Sequence, residues 1–231
     1  MVAFFIPFAG GSSYSFIQCA KKNDELDFVL LDYPGKGRRA RESFALTMDE
    51  LVEDVFCQIV SYVTKYEIKE YLLWGHSMGG SIAYEVTLLM NRRNEIVPKC
   101  IVISGTPPPT FDNRDEIKTK IQNQNDFLAY LASFGLIADV EILKRPVFTK
   151  FIKASLNDYS ILANYVPSKE VIKNVNGVVL YGKDDDSFVA DWRDWKRFFE
   201  MNCLVCEYPG NHFFIFDSFP NIVDQIVSLC I

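Results

Sequence analysis

Apolar residues fall along this chain in short unbroken runs, separated by longer stretches of helical period. Val2–Ile6, Phe28–Asp32, Tyr71–Trp74, Cys100–Ser104, Val178–Tyr181 and Leu204–Tyr208 are runs of strand length. Runs this short and this apolar predict strands buried within a sheet. Between most of them the apolar positions recur every three or four residues. Ser81–Arg93 carries Ile82, Ala83, Val86, Leu89 and Met90 on one stripe, the signature of an amphipathic helix. Leu51–Thr64 predicts another, and Thr47 and Glu50 have the spacing of a capping box at its start. There the threonine hydroxyl accepts one orphan N–H while the glutamate reaches back to another. Strand and helix alternate, which predicts an α/β fold: a mostly parallel sheet with right-handed crossovers and helices on both faces.

One turn in this pattern carries chemistry. Gly75-His76-Ser77-Met78-Gly79 follows the run Tyr71–Trp74 and precedes the helix of Ser81–Arg93. Strand, turn and helix stand where a G-x-S-x-G nucleophile elbow needs them, which lifts the five-residue pattern above chance. Such a turn strains the serine backbone and exposes its hydroxyl, and its glycines sit where side chains would clash between strand and helix. A serine hydroxyl needs a base, and the base needs a third group to orient it. The chain has two histidines. His76 adjoins Ser77 inside the turn, where its geometry is wrong for a base. His212 remains, on the loop Tyr208-Pro209-Gly210-Asn211-His212-Phe213 after the last strand run. The acid is expected between Ser77 and His212 in the sequence. Gly182-Lys183-Asp184-Asp185-Asp186 follows the run Gly177–Tyr181, and spacing leaves its three carboxylates undistinguished; Asp158, from a helical stretch, is a competitor. Of the two oxyanion donors, one is the N–H of Met78, and the other belongs to the glycine-rich loop Pro7-Phe8-Ala9-Gly10-Gly11-Ser12 after the first strand. A phosphate-cradling role for that loop has no support, because neither a P-loop nor a dinucleotide-binding pattern is present.

From about Thr110 to Ser168 the rhythm of strands stops, and the apolar pattern is helical throughout: Phe127, Leu128 and Leu131, then Phe148, Phe151 and Ile152, then Leu156, Tyr159, Leu162 and Ala163. A single crossover helix needs far fewer residues. The stretch is read as a helical lid, at about 110–168, inserted above the elbow of one domain spanning 1–231. At 231 residues and 49% hydrophobic content the chain is long enough for one α/β core. It holds no apolar run of membrane-spanning length, and no secretory leader is expected at its start. Six scattered cysteines suit a reducing cytoplasm. Cys203 and Cys206 have C-x-x-C spacing but would face opposite sides of a strand, so no zinc or redox site is expected there. A net charge of −6 argues against nucleic-acid binding. The one dense basic run, Lys36–Arg41, reads as solvated surface.

Together these segments resemble the type II thioesterases, the free-standing editing enzymes of nonribosomal peptide and polyketide synthases. The resemblance spans nearly the whole chain. It rests on Phe4–Ser12, on Tyr33-Pro34-Gly35-Lys36-Gly37-Arg38, on Gly75–Gly80 and on Ser104-Gly105-Thr106-Pro107-Pro108-Pro109. It extends through Asn157-Asp158-Tyr159, through Gly182–Asp185 with Trp192 and Trp195, and through Gly210–Phe213, where Asn211 replaces the family's second glycine. The resemblance implies hydrolysis of acyl thioesters carried on the phosphopantetheine arm of acyl-loaded carrier domains. It implies Ser77 as nucleophile, His212 as base and Asp185, three positions after the strand-terminal glycine, as acid. Met78 and Ala9 then supply the oxyanion N–H groups, and Asp158 becomes a structural lid residue. Phe8, Phe127, Leu131 and Phe148 are the candidates for lining the acyl channel. No metal or diffusible cofactor, no nucleic acid and no membrane is implied, and a monomer is expected. Lys118, Lys120, Lys144 and Arg145 of the lid, and the loop Lys36–Arg41, are the candidate carrier-docking charges. The alternatives are a medium-chain fatty acyl-carrier thioesterase, a general carboxylesterase, a macrocyclising thioesterase and a catalytically silent binding protein of the same fold.

Overall fold

Each predicted strand run forms a strand, and all of them pair in parallel. The computed structural model describes residues 1–21, 24–137 and 139–230. Its strands are β1 (Val2–Ile6), β2 (Asp27–Leu30), β3 (Tyr71–His76), β4 (Cys100–Ser104), β5 (Asn176–Gly182) and β6 (Cys203–Tyr208). They lie in the order β2-β1-β3-β4-β5-β6. The helices are α1 (Ile17–Lys21), α2 (Met48–Lys65), α3 (Met78–Arg93), α4 (Arg114–Lys120), α5 (Gln124–Ser133), α6 (Val140–Leu143), α7 (Thr149–Leu162) and α8 (Phe214–Cys230). β2 stops before the predicted Asp32 because that carboxylate turns aside to accept the Ser13 N–H at 2.7 Å and the Ser13 hydroxyl at 2.8 Å. β3 runs two residues further than predicted, with His76 paired to Ser104 of β4.

Alternation along the strands divides the core into two layers. Phe4, Ile6, Leu73, Ile101, Ile103 and Val179 face the side covered by α2 and α3. Ala3, Phe5, Leu72, Trp74, Val102 and Leu180 face α8, where Phe219 stacks on Trp74 with centroids 5.4 Å apart. The central strands are buried on both faces, as an all-parallel sheet requires. Four helices, α4 to α7, fill the interval between β4 and β5, and among the described residues of 110–168 no strand occurs.

The topology itself places a crevice. From β1 the chain steps outward to β2, and from β3 it steps the other way. The loops leaving neighbouring β1 and β3 therefore diverge at their carboxyl ends, the position where open α/β sheets hold their sites. Those two loops are the glycine-rich segment after Ile6 and the turn at Ser77.

α2 starts at Met48, three residues before the first predicted position, because its cap works. The Thr47 hydroxyl accepts the Glu50 N–H at 3.2 Å. Glu50 reaches one residue further back than a capping box prescribes, to the Leu46 N–H at 2.7 Å. Thr47→Ala should lower stability by about 1 kcal/mol. A urea unfolding curve with an unchanged slope and an unchanged midpoint would contradict that.

Candidate active site

Ser77 joins β3 to α3 at φ 56° and ψ −122°, a conformation that non-glycine residues avoid. Its neighbours hold it there. The Ser77 N–H donates to Ser104 O at 2.8 Å, and the Thr106 hydroxyl donates to Ser77 O at 2.7 Å. A Cβ on Gly75 would collide with Gly79 O, and one on Gly79 with Ile6 O. Both glycines are thus demanded by the closeness of strand, helix and the loop after β1. Ser104, given no role of its own in the sequence beyond opening a segment that carries the resemblance, braces the turn twice. Its carbonyl holds Ser77, while its hydroxyl accepts Trp74 Nε1 at 3.1 Å and donates to Gly75 O at 3.2 Å.

His212 and Asp185 meet from separate loops. His212 Nδ1 lies 2.8 Å from Asp185 Oδ2, and both side chains are buried. A carboxylate at that distance holds the proton on Nδ1 and leaves Nε2 as the nitrogen free to accept one. Burial disfavours the Asp185 charge, but the His212 hydrogen bond, the His212 charge and the Ser187 N–H outweigh it and hold its pKa below the ordinary carboxylate value. The two other carboxylates of the run are exposed. Asp184 instead ties its loop to the histidine loop through its N–H on Gly210 O at 2.9 Å and its carboxylate on the Gly210 N–H at 3.3 Å. Asn211 sits outside the positive-φ residues, and its Oδ1 accepts the Phe213 N–H at 2.9 Å, so the departure from glycine is accommodated. Phe134, Phe188 and Phe213 surround the His212 ring at 4.9, 5.5 and 5.2 Å. Ser77 and His212 line one cavity without a direct hydrogen bond between them, and such pairs commonly tighten only with substrate bound. His76 is fully buried, and its Nδ1 is engaged with the Ser104 hydroxyl at 3.0 Å. Burial first, then the His212 charge, push its pKa well down, which suits a neutral brace and no role as base.

In the loop after β1, neighbouring amides are already committed. The Gly10 N–H donates to Asp158 Oδ2 at 2.6 Å, and the Gly11 N–H to Phe8 O at 2.9 Å. Ala9 N–H has no acceptor among the described residues. Met78 opens α3, where first-turn N–H groups lack an intrahelical partner. Asp158 stands apart from His212: it is paired with Lys36 and holds Gly10. The basic run Lys36–Arg41 corrects its reading as solvated surface. Lys36 is buried against Asp158, Arg38 binds Asp32 at 2.9 Å, and Arg39 binds Asp54 and Glu42 at 2.6 Å each. Three of its four charges are held by acidic partners, Lys36 fully inside, while Arg38 and Arg41 stay exposed.

A serine on a strained turn, a histidine oriented by a buried carboxylate and two unclaimed N–H groups form an acyl-transfer constellation. The sequence model of the thioesterase domain matches residues 3–230. The chain belongs to the thioesterase family. This thioesterase is 26% identical over 218 residues to the medium-chain S-acyl fatty acid synthase thioesterase of Homo sapiens, covering 91% of this chain and 79% of that one. Its fold is similar to that of ClbQ from the colibactin NRPS/PKS pathway, with TM-score 0.83 and 23% identity over 97% of this chain and 94% of that one. It is also similar to YbtT, a type II thioesterase from the yersiniabactin NRPS/PKS pathway, with TM-score 0.74 and 19% identity over 98% and 91% of the two chains.

Two cavities of about 90 and 20 Å³ meet at Ser77 in this thioesterase, and Phe134 and Tyr159 line both. Phe8 and Leu131 line the smaller one as expected, with Phe151 and Phe213 beside them. Phe127 and Phe148 line neither. Phe127 is buried edge-on against Tyr159 at 5.6 Å. Phe148 caps the start of α7 and packs half-buried on the core. Helical period marked both as inward-facing, but inward here means the packing between helices and not the cavity wall.

Asp185→Asn should cut turnover by about 10⁴-fold through the wrong imidazole tautomer, whereas Asp158→Asn, which keeps an acceptor for Gly10, should be far milder. A steady-state comparison giving the reverse order would move the acid to Asp158. The depressed Asp185 pKa also carries a stability signature. Its contribution is present above the unfolded carboxylate pKa of about 4 and is lost as pH falls through the lower folded value. Wild type should therefore lose more stability than Asp185→Asn between about pH 5 and 2, and parallel acid-unfolding profiles would contradict this.

Proposed function

We propose that this thioesterase hydrolyses acyl thioesters from the phosphopantetheine arm of carrier domains in nonribosomal peptide or polyketide assembly, clearing stalled or mis-primed chains. The observation that carries the reading is the buried His212–Asp185 pair sharing a cavity wall with a strained Ser77. Ser77 Oγ attacks the thioester carbonyl and passes its proton to His212 Nε2, while Asp185 stabilises the imidazolium that forms. The N–H groups of Met78 and Ala9 receive the oxyanion. Collapse expels the pantetheine thiolate, which takes the proton back from His212. A water molecule, deprotonated by His212, then attacks the acyl-enzyme, and His212 passes that proton to Ser77 Oγ as the ester bond breaks and the acid leaves. A thiolate is a good leaving group, so the helices of 110–168 act as a lid that governs access and recognition more than bond breaking. That ClbQ and YbtT belong to NRPS/PKS pathways supports carrier domains as the partner.

The similarity to a medium-chain fatty acid synthase thioesterase favours one second reading, a fatty acyl carrier substrate. A panel of short, branched and medium-chain acyl-carrier proteins beside matched acyl-CoAs separates the two by chain preference. Ser77→Ala and His212→Ala should each remove turnover to a similar extent, because triad members act as a unit. Either variant keeping more than about a hundredth of the wild-type rate refutes the assignment at that residue.

Docking must be local, since the protein is itself acidic at net −6. Lys118 and Lys144 are partnered three residues back along the chain by Asp115 at 3.2 Å and Glu141 at 2.7 Å. Around α6 and the start of α7, however, Lys144, Arg145, Lys150 and Lys153 are all exposed, with Val147 79% exposed at their centre. An acidic carrier surface would complement that patch. Lys144→Glu with Arg145→Glu should raise KM for an acyl-carrier protein at least about fivefold and leave hydrolysis of an N-acetylcysteamine thioester nearly unchanged. Equal losses on both substrates would show damage to the lid and remove the docking proposal.

A further inference from the structure

We propose that Lys36 and Asp158 are positioning residues of the oxyanion hole, whose buried ion pair fixes the Gly10 N–H and thereby the turn that presents the Ala9 N–H. This rests on Ser77 as nucleophile and Ala9 as donor, as proposed above.

The loop after β1 is gripped on both sides of Ala9. Upstream, the Tyr33 hydroxyl donates to Pro7 O at 2.6 Å. Downstream, Gly10 N–H donates to Asp158 Oδ2 at 2.6 Å, the same oxygen that takes Lys36 Nζ. Fixing the Gly10 N–H fixes the peptide plane between Ala9 and Gly10, since that unit is rigid. Holding Pro7 O as well leaves the Ala9 N–H few directions in which to turn. Gly10 stands at φ 78°, and a Cβ there would run into Ser155 of α7. No other residue type fits this turn while α7 lies against it.

Three features set the ion pair apart from an ordinary stabilising contact. Both partners are buried, with side-chain exposures of 4% and 0%. Burial raises the Asp158 pKa and lowers that of Lys36, and their attraction only partly opposes this. Such a pair is weak as a source of net stability. Asp158 Oδ1 has no hydrogen-bond partner among the described residues, so the carboxylate is not placed to satisfy both of its oxygens. Lys36 also lies over the Tyr33 ring, 4.6 Å from its centroid, so the two grips on the loop touch each other. The residues come from the segment after β2 and from α7 of the insertion. A shift of α7 is thereby felt at the oxyanion donor.

The test removes the pair without stranding a charge. Lys36→Met/Asp158→Leu deletes the Gly10 acceptor, while Lys36→Met/Asp158→Asn keeps one. In the first, kcat on a short acyl N-acetylcysteamine thioester should fall about 10²-fold, the loss typical of one oxyanion donor, with KM within about threefold. The inhibition constant of an alkyl trifluoromethyl ketone, whose serine adduct places an oxyanion in the hole, should rise by a similar factor. The second variant should stay within about tenfold of wild type in both measures. If the leucine variant does not fold, Asp158→Ala in the Lys36→Met background makes the same comparison. Equal kinetics for the acceptor-keeping and acceptor-lacking variants would overturn the proposal, as would a loss that follows only the folded fraction seen by circular dichroism. Fluorophosphonate labelling of Ser77 separates this from the substrate reading. A wild type that is labelled but inert on thioesters defeats the substrate reading alone, and the labelling rates of the variants then decide this one, with about a 10²-fold slowing expected without the acceptor. A wild type neither labelled nor active would defeat both.

Discussion

Ser77 occupies a backbone conformation that costs on the order of 1–3 kcal/mol and persists only because its surroundings impose it. The imposition comes from the sheet. The Ser77 N–H bonds Ser104 O, the Gly105 N–H bonds Leu180 O, and the Lys183 N–H bonds Tyr208 O, each beyond the end of one strand and onto the next. The hydrogen-bond ladder of β3, β4, β5 and β6 thus continues past its last paired residues into the loops that carry Ser77, Asp185 and His212. Positions of these three side chains follow from strand spacing more than from any contact among themselves. That is why the site can hold its geometry without a direct hydrogen bond between Ser77 and His212.

The second constraint is electrostatic and lies on the other side of the nucleophile. Asp32 gathers Ser13 and Arg38, and Asp158 gathers Gly10 and Lys36. Two buried carboxylates thereby tie the loop after β1 to the segment after β2 and to α7. On the histidine side, aromatic rings replace water around the imidazole. A low local dielectric strengthens the His212–Asp185 attraction, so the same rings that line the cavities also strengthen this pair.

How far all this was legible in the sequence depends on the range of each interaction. The strands, the elbow and the helical interval were legible because they rest on local hydrophobic period and on glycine spacing, and their ends moved by only a few residues. The choice among Asp184, Asp185 and Asp186 was not available from spacing; family resemblance singled out Asp185, and the structure brings that one to His212. Lys36 was misread as solvated because its partner lies 122 residues away, and a charge pattern carries no record of contacts at that distance. Phe127 and Phe148 failed as cavity residues for a related reason: periodicity tells which side of a helix is covered but not by what. Phe134 gave no signal, and Ser104 only as part of the segment carrying the resemblance, since an aromatic at a helix end and a serine at a strand end are unremarkable by themselves.

β6 lies at the rim of the sheet, half-exposed along most of its length, yet it delivers the histidine loop. Rim strands open at lower free energy than central ones. A brief detachment of β6 would carry His212 away from Asp185 while leaving β3, α3 and the strained serine intact. The mechanism proposed for this site would then stop without the rest of the sheet opening. During synthesis the converse holds, because Ser77 emerges well before His212, and the Ser77, Asp185 and His212 constellation is complete only once β6 has docked.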